Sequence, residues 1–442
     1  MKRSILRAHA RAIFQAGLEA ADPISAVRRA VHVEGKALEV AGRAFPLGGS
    51  GTIRAVGMGK ASAAMALALE EMLGQDLDGG VVVVKYGHGL PLERIRVVEG
   101  GHPVPDAAGE AGAREIIHTL KGGEPEDLFL CLISGGGSAL SPAPVAGVSL
   151  EDKQSVTRLL LGSGATIHET NTVRKHLSRL KGGQLARLAH PARVISLILS
   201  DVVGDDLDVI ASGPTVADPS TYVEALSVFQ RTGLLEKVPE SVGNHLQAGV
   251  RGEIPETPKP GDPSLERVRN LIVGSNDLAL RAAEEKAAGL GYRTLLPPGL
   301  KEGEARVLGK AHAALARSIR RDREPAAQPV CILTGGEATV TLRGDGKGGR
   351  SQELAVSAAL ELEGLEGAAF LSGGTDGTDG PTDAAGGLVD DTTVARGRGM
   401  GLDAWDYLER NDTYHYLQPL GDLLITGPTL TNVMDLRVML LD

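Results

Sequence analysis

The residues best suited to chemistry lie in glycine-rich loops that directly follow apolar, strand-like runs. The first loop is GMGKAS, where Gly57, Gly59 and Lys60 stand between the run TIRAV and a predicted helix. Backbone N–H groups at such a strand-to-helix turn bind anions. A lysine at a helix N-terminus opposes the helix dipole, so we expect Lys60 to meet a bound anion. The alternative is a surface lysine at an ordinary turn.

A second loop of this kind, ISGGGSAL, follows the apolar run LFLCLI. Its glycines allow the backbone to approach an anion closely, although a tight turn into a helix is the alternative. The residues that we assign to anion binding here are Ser134, Gly135, Gly136, Gly137 and Ser138. Neither loop is a standard nucleotide motif. GMGKAS has Ser62 where a dinucleotide fingerprint has its third glycine, and it lacks the Ser/Thr of a Walker A loop.

Cations cluster in two further segments. TNTVRKHLSRLKGGQLA is the most basic predicted helix, and its Arg174, Lys175 and Lys181 could hold a carboxylate or phosphate. Arg174 and Lys181 are two turns apart and should share a helix face, although a solvated face is the alternative. In TGGEATVTLRGDGKGGRSQELA, Arg350 begins a predicted helix and again places a cation at an unfavourable end.

Carboxylates follow three of the predicted strands. Asp201 follows VISLIL, Glu337 follows VCILT, and Asp376 follows AAFLS. Hard carboxylate oxygens near a phosphate site suggest Mg²⁺. The alternative is that such residues cap helices and form Asx turns.

Apolar runs that alternate with helical stretches must position these loops. The runs predicted as strands are TIRAV, VVVV, RVVE, LFLCLI, VISLIL, LIVG, VCILT and AAFLS. They predict an α/β fold with parallel strands buried on both faces. The 442 residues favour two domains, 1–250 and 265–442, with a Pro- and Gly-rich boundary at 249–264. The alternative is that 249–264 is a surface loop within one domain. The first helix could pack on either domain.

Composition excludes several classes of partner. A net charge of −10, from 46 basic and 56 acidic residues, disfavours nucleic acid. No apolar stretch is long enough to span a membrane, so we expect a cytoplasmic protein without membrane partners. Cys131 and Cys331 lie in apolar runs and are predicted to be buried thiols. The oligomeric state stays open, and a homodimer is compatible with the sequence.

Together with EGGHPVPD, these loops resemble the class II glycerate 2-kinases, whose C-terminal part is called the MOFRL domain. The matching segments run from residue 57 to 387 and keep the order of the family. The resemblance implies a Rossmann-like, parallel-sheet N-terminal domain, a smaller mixed α/β C-terminal domain, and an active site in the cleft between them. It also implies phosphorylation of D-glycerate to 2-phosphoglycerate with ATP and Mg²⁺.

The resemblance further implies that Lys60 and Arg350 are catalytic. The segment Gly135–Ser138 would then offer N–H donors to phosphate, and Arg174 or Lys175 would hold the substrate carboxylate. The three carboxylates that follow strands would hold Mg²⁺ or accept the hydroxyl proton, and the sequence does not assign one role to each.

Two other functions are alternatives to the kinase. Some family members are labelled hydroxypyruvate reductases, which would use NAD(P)H, but Ser62 breaks the fingerprint that such an enzyme needs. A non-catalytic regulator that binds a sugar acid or a nucleotide is the other alternative. His102 in EGGHPVPD is expected to be a structural turn histidine rather than a substrate contact.

Overall fold

The computed structural model describes residues 3–322 and 328–442. Its α-helices are α1 (Arg3–Ala20), α2 (Pro23–Ala30), α3 (Ser62–Leu73), α4 (Ala107–Leu120), α5 (Gly137–Leu140), α6 (Leu150–Gly162), α7 (Ile167–His176), α8 (Gln184–Ala189), α9 (Tyr222–Arg231), α10 (Glu240–Val250), α11 (Asn276–Gly289), α12 (Ala305–Asp322), α13 (Arg350–Leu362), α14 (Thr393–Gly399), α15 (Ala404–Glu409) and α16 (Thr413–Leu420). None of the helices in these described ranges has the length and apolar character that crossing a membrane requires.

The β-strands come from the same described residues. They are β1 (Val31–Glu34), β2 (Ala37–Val40), β3 (Arg43–Pro46), β4 (Ile53–Met58), β5 (Gly80–Lys85), β6 (Ile95–Gly100), β7 (Leu128–Ile133), β8 (Arg193–Leu199), β9 (Val268–Gly274), β10 (Arg293–Leu295), β11 (Gly303–Glu304), β12 (Val330–Gly336), β13 (Ala338–Thr339), β14 (Ala368–Gly374), β15 (Gly386–Asp390), β16 (Leu423–Leu424) and β17 (Asp435–Leu441). Each of the apolar runs predicted as a strand therefore lies on a strand.

The chain divides into two compact units. The large unit is Pro23–Val273, and the split unit combines the described residues up to Asp22 with Gly274–Asp442. Helix α1, which the sequence left unassigned, belongs to the split unit. The segment 249–264, predicted as a boundary, lies inside the large unit instead, because the chain continues from it into β9, a strand of that unit's sheet. A surface loop needs the same polar, Pro- and Gly-rich composition as a linker, so the pattern does not separate the two.

The large unit is built on a six-stranded sheet in the order β6-β5-β4-β7-β8-β9. The pairs β6–β5, β5–β4, β4–β7 and β7–β8 are parallel, as predicted. The chain begins at β4, adds two strands on one side, and then returns to the other side of β4. The carboxyl ends of β4 and β7 therefore form a topological switch point, where open α/β sheets bind ligands.

The split unit has a mixed six-stranded sheet in the order β10-β12-β17-β14-β15-β16. Strand β17 lies between β12 and β14 and is antiparallel to both. The apolar runs of β12 and β14 are continuous because both strands are fully buried, whatever their direction. Helices α1, α11 and α13 pack on this sheet. The predicted fold class, a parallel α/β sheet plus a mixed α/β part, is confirmed.

The basic segment 170–186 is not one helix. Helix α7 ends at His176, and α8 begins only at Gln184. Between them Gly182 and Gly183 have φ angles of +57° and +77°, a left-handed backbone that glycine adopts without steric cost. The prediction that Arg174 and Lys181 share a helix face is therefore wrong.

Helix α7 begins with a capping box. Thr166 caps the helix, since its hydroxyl accepts a hydrogen bond from the Glu169 N–H while the Glu169 carboxylate accepts one from the Thr166 N–H. This reciprocal capping box places Asn171 inside the helix rather than at its first position.

Candidate functional site

The two predicted anion loops of the large unit meet at the switch point. They follow β4 and β7, which are neighbours in the sheet. The Lys60 N–H donates to the Gly135 carbonyl at 2.9 Å, and the Ala61 N–H donates to the Ser134 hydroxyl at 3.0 Å. The loops thus form one hydrogen-bonded surface rather than two separate turns.

Close packing explains why glycines occupy this surface. A Cβ at Gly59, whose φ is +136°, would lie 2.2 Å from the Ser134 hydroxyl oxygen. A Cβ at Gly135 would lie 2.1 Å from a carboxylate oxygen of Asp201. Asp201 therefore stands against the loop, where its place after β8 predicted it. Gly57 lies within β4 itself, and there a Cβ would be 2.7 Å from the Leu132 carbonyl oxygen. Gly57 thus serves the packing of the strands.

Lys60 lies in the turn before α3, which begins at Ser62 rather than at Lys60. A Cβ at Gly136 would be 3.5 Å from Cγ of Lys60 and 3.0 Å from the His102 ring, so these three residues adjoin. Burial, together with the positive charge of Lys60, lowers the pKa of His102 to about 4. His102 is consequently neutral near pH 7, and it belongs to the site rather than to a remote turn.

A small cavity of about 160 Å³ opens beside this cluster. His102, Gly136 and Ser138 line it together with three cations, Lys153, Arg174 and Lys181. Among the described residues that line it, none is an aspartate or a glutamate. The break between α7 and α8 thus brings Arg174 and Lys181 to the same cavity from different elements.

No carboxylate of the described ranges pairs with the two lysines of this cavity. Lys153 donates to the Leu177 carbonyl at 2.9 Å, and Lys181 donates to the Ser141 carbonyl at 3.1 Å. Burial lowers the pKa of Lys181 to about 7 and that of Lys153 well below its usual value, and the neighbouring Arg174 adds to both effects. An anion in the cavity would relieve this repulsion.

Lys153 is a site residue that sequence analysis missed. It belongs to the buried stripe of α6, together with Val156 and Leu160. A lysine on the apolar stripe of a helix is the feature that could have identified it, because lysine is almost never fully buried without a partner.

Lys175, also predicted to bind substrate, has a different role in the structure. It is buried and forms ion pairs with Asp208 and Asp218, the latter at 3.4 Å. Adjacent residues of a helix point about 100° apart, so Arg174 faces the cavity while Lys175 faces these carboxylates. Lys175 is part of a structural ion pair, and the structure does not place it with the other cations.

The serine at the end of the second loop is held by a chain of hydroxyl groups. Ser138 Oγ lies 2.6 Å from Ser212 Oγ, and Ser212 donates to Asn171 Oδ1 at 3.1 Å. Gly137 begins the short helix α5, and a Cβ there would be 3.0 Å from Met58. The loop is therefore fixed by packing and by hydrogen bonds before any ligand binds.

The split unit contributes Arg350, which starts helix α13 as predicted. Its Nε lies 2.9 Å from a carboxylate oxygen of Asp435, and its Nη1 pairs with Glu337. Burial opposes the positive charge, but Asp435 and Glu337 outweigh it and raise the pKa of Arg350. Two carboxylates thus hold the cation in place at the unfavourable end of a helix.

A larger cavity of about 610 Å³ lies within the split unit next to Arg350. The glycine-rich loop 344–349, the side chains of Val340 and Leu342, and Asp376 line it. Small-molecule pockets have volumes of roughly 300–1,000 Å³ and combine apolar walls with a few polar groups. The cavity is therefore large enough for a nucleotide.

The aspartates of the last glycine-rich loop divide between structural and cavity roles. Asp379 caps α13, since its carboxylate accepts hydrogen bonds from the N–H groups of Ser351 at 3.1 Å and Gln352 at 2.8 Å. Burial raises the pKa of Asp379 to about 7. Asp376 accepts from the Thr378 N–H at 3.1 Å in an Asx turn and also lines the large cavity.

The three carboxylates predicted as metal ligands lie in different surroundings. Asp201 belongs to the large unit, Glu337 is engaged with Arg350, and Asp376 lines the cavity of the split unit. Within residues 3–322 and 328–442, no group of three or more His, Cys, Asp or Glu side chains is arranged to hold a metal ion. Mg²⁺ is commonly bound by one or two carboxylates plus substrate phosphates, so these residues fit an ion that arrives with a phosphate ligand.

Comparisons with known proteins agree with this organisation. Residues 9–247 match a domain of unknown function, DUF4147, and residues 330–435 match the MOFRL family. A glycerate 2-kinase of Pyrococcus horikoshii is 45% identical and aligns with 94% of this chain and 93% of its own. A protein of Agrobacterium vitis provisionally named hydroxypyruvate reductase is 46% identical over 87% of this chain and 86% of its own. The crystal structure of glycerate kinase from Thermotoga maritima has a TM-score of 0.89 at 40% identity, covering 99% of this chain and all of that one (100%).

Proposed function

This chain belongs to the glycerate 2-kinase family, and on that premise we propose that it transfers the γ-phosphoryl group of ATP to D-glycerate, yielding 2-phosphoglycerate and ADP. The observation that carries the proposal is the cationic, glycine-lined site at the switch point of the large unit. Lys60 and two hydrogen-bonded loops adjoin there a cavity whose described lining residues include no carboxylate. Such a site suits a small anionic substrate.

Lys60 and Arg350 are assigned to the transferring phosphoryl group. Phosphoryl transfer needs little covalent work from the protein, but it needs positioning and positive charge. Lys60 supplies that charge beside the loop N–H groups. Arg350 is oriented by Asp435 and Glu337 before any ligand binds, which lowers the cost of ordering it.

The nucleotide is assigned to the large cavity of the split unit. Val340 and Leu342 would contact the base, and the glycine-rich loop 344–349 would approach the phosphates. Asp376 would hold the Mg²⁺ ion, which supplies charge neutralisation on the phosphate oxygens when it is bound. Asp201, which stands against Gly135, is the candidate acceptor for the proton of the substrate hydroxyl.

The proposal is tested by glycerate-dependent ADP release. Lys60→Ala and Arg350→Ala should each lower kcat at least about tenfold, on the order of 1.4 kcal/mol, because each removes a charge from the transition state. Lys121→Ala and Arg321→Ala are matched controls at exposed positions and should leave kcat unchanged. A near-normal kcat in either test variant, with circular dichroism unchanged, would remove that residue from the mechanism.

A second candidate, a hydroxypyruvate reductase, is favoured by the names of some relatives. The buried Ser62 hydroxyl, which donates to the Leu132 carbonyl at 3.0 Å, opposes it, since a dinucleotide fingerprint places glycine at that position. NADH oxidation with hydroxypyruvate, in the absence of glycerate-dependent ADP release, would replace the kinase proposal by this one. Tight ligand binding without any turnover would favour a regulator.

A further inference from the structure

We propose that the small cationic cavity of the large unit binds the carboxylate of the substrate and that Lys153 is a substrate-binding residue. This inference rests on the function proposed above and assigns one part of the substrate to one set of side chains. The glycine-rich loops alone do not identify the cavity or Lys153 as part of the site.

The neighbouring buried lysines of the large unit differ in their partners. Lys175 forms ion pairs with two carboxylates, those of Asp208 and Asp218. Lys153 and Lys181 are also buried, yet each contacts one backbone carbonyl in the described structure and no carboxylate. An ammonium group has three donors, so most of the hydrogen-bonding capacity of both groups remains for a ligand. A buried charge is costly unless it is paired, which indicates that the missing partner is an anion from solution.

The cavity also lies next to the predicted anion loops. Gly136 and Ser138 line the cavity, and Lys60 adjoins Gly136. A carboxylate bound by Lys153, Arg174 and Lys181 would therefore leave the hydroxyl-bearing carbons of a three-carbon acid beside Gly136 and Lys60. Arg174 offers the planar fork that matches a carboxylate.

The size and the charge of the cavity favour a carboxylate over a chain of phosphates. The cavity, at about 160 Å³, is much smaller than the cavity of about 610 Å³ in the split unit. Burial lowers the pKa of Lys181 to about 7 and that of Lys153 well below its usual value, whereas the Arg174 guanidinium stays charged and His102 is neutral. The shifts of both lysines limit the positive charge that the cavity presents before a ligand binds, which suits one carboxylate.

The proposal predicts that binding takes up protons. A carboxylate favours the charged form of Lys153 and Lys181 and raises their pKa values against the opposing charge of Arg174. Calorimetric titration of the nucleotide-free protein with D-glycerate should give a binding enthalpy that depends on the ionisation enthalpy of the buffer, with the sign of proton uptake. A purely structural lysine would not produce this dependence.

The decisive variant is Lys153→Gln, whose amide can still donate to the Leu177 carbonyl while the charge is removed. We expect Kd and KM for D-glycerate to rise at least tenfold, the proton uptake to fall, and KM for ATP to stay within about twofold. Lys181→Gln is a second variant of the same design. Arg158→Gln is the control, because Arg158 is an exposed residue of the same helix α6.

Each outcome bears on one proposal. Unchanged Kd and KM for D-glycerate in both lysine variants, with ADP release retained, would overturn the carboxylate site and leave the kinase function intact. A rise in KM for ATP alone would overturn it in favour of a phosphate site. Glycerate binding that depends on Lys153 without any ADP release would refute the kinase function and support the cavity as a carboxylate site. Glyceramide, the neutral analogue, should bind the unmodified protein at least tenfold more weakly, and equal affinity would contradict the proposal.

Discussion

The substitution Asp435→Asn should destabilise the split unit strongly, because it removes the carboxylate beside a fully buried arginine. Arg437 has no exposed surface, and its Nη2 lies 3.8 Å from the Asp435 carboxylate. One of its nitrogens donates to the Leu300 carbonyl at 2.7 Å, while Nε and Nη2 have no hydrogen-bond partner among the described atoms. Asp435 is itself only 2% exposed, and it also holds Arg350.

The expected magnitude follows from this burial. Removal of one partner of a buried ion pair typically costs about 3–5 kcal/mol, because the remaining charge is left without compensation. Asparagine keeps the shape and one acceptor of aspartate, so the cost reports the lost charge rather than a cavity. The double substitution D435N/R437M should cost less than D435N alone, since it leaves no unpaired guanidinium at position 437.

Trp405 makes the measurement specific to the split unit. It is the only tryptophan of the chain and lies in α15, so its fluorescence follows the unfolding of that unit in urea. A cost for D435N below about 1 kcal/mol, the range of an exposed ion pair, would refute the argument from burial. If the double variant loses at least as much stability as the two single variants together, Asp435 and Arg437 do not stabilise each other, and their pairing is refuted.

Two further predictions concern helix caps. Because burial raises the pKa of Asp379 to about 7 from 3.8, its contribution to stability is fully present below pH 3.8 and is lost as the pH rises through 7. The shift of about three pH units corresponds to on the order of 4 kcal/mol, so the free energy of unfolding of the wild type, relative to that of Asp379→Asn, should fall by about that amount between about pH 4 and about pH 7. A difference that stays constant with pH would contradict this. Thr166→Ala removes the capping box of α7 and should cost about 1 kcal/mol in urea denaturation, whereas an unchanged midpoint would show that the cap adds nothing.

The sequence predicted the large unit well because its information is local. Continuous apolar runs located the strands, and the loops after β4 and β7 were recognised from glycine content alone. Strand order then follows from short, right-handed crossovers, which place those two loops at the switch point. The family resemblance is confirmed by relatives that are 44–45% identical over most of the chain.

The split unit was harder to predict because its central contacts are distant in sequence. Strand β17 enters between β12 and β14 from the far end of the unit, and no local pattern encodes that insertion. Its apolar run is also interrupted by Arg437, whose pairing with Asp435 becomes visible only in three dimensions. The apolar runs therefore identified β12 and β14, whereas β17 and the order and direction of the strands could not be predicted from them.

The cationic cavity shows the same limit at the level of single residues. Arg174 and Lys175 are adjacent and equally basic, and only the break after α7 decides that Arg174 lines the cavity. Lys153 lay on a buried stripe, but lysine on a helix is ordinarily a surface residue. Charge and composition predicted that an anion site exists, and the backbone geometry determines which cations form it.

Helix α1 imposes an order of events on a newly made chain. It packs against α11, β14 and β17, so about 420 residues separate it from its last partner. At 5–20 residues per second, ribosomal synthesis of that interval takes roughly 20–80 s. Throughout that time the apolar face formed by Leu6, Ile13 and Phe14 lacks its final partners, while the large unit is completed and can fold before the interval ends. Helix α1 is therefore made well before its last partners and is among the last elements to reach its native contacts, and until then its apolar surface is available to chaperones.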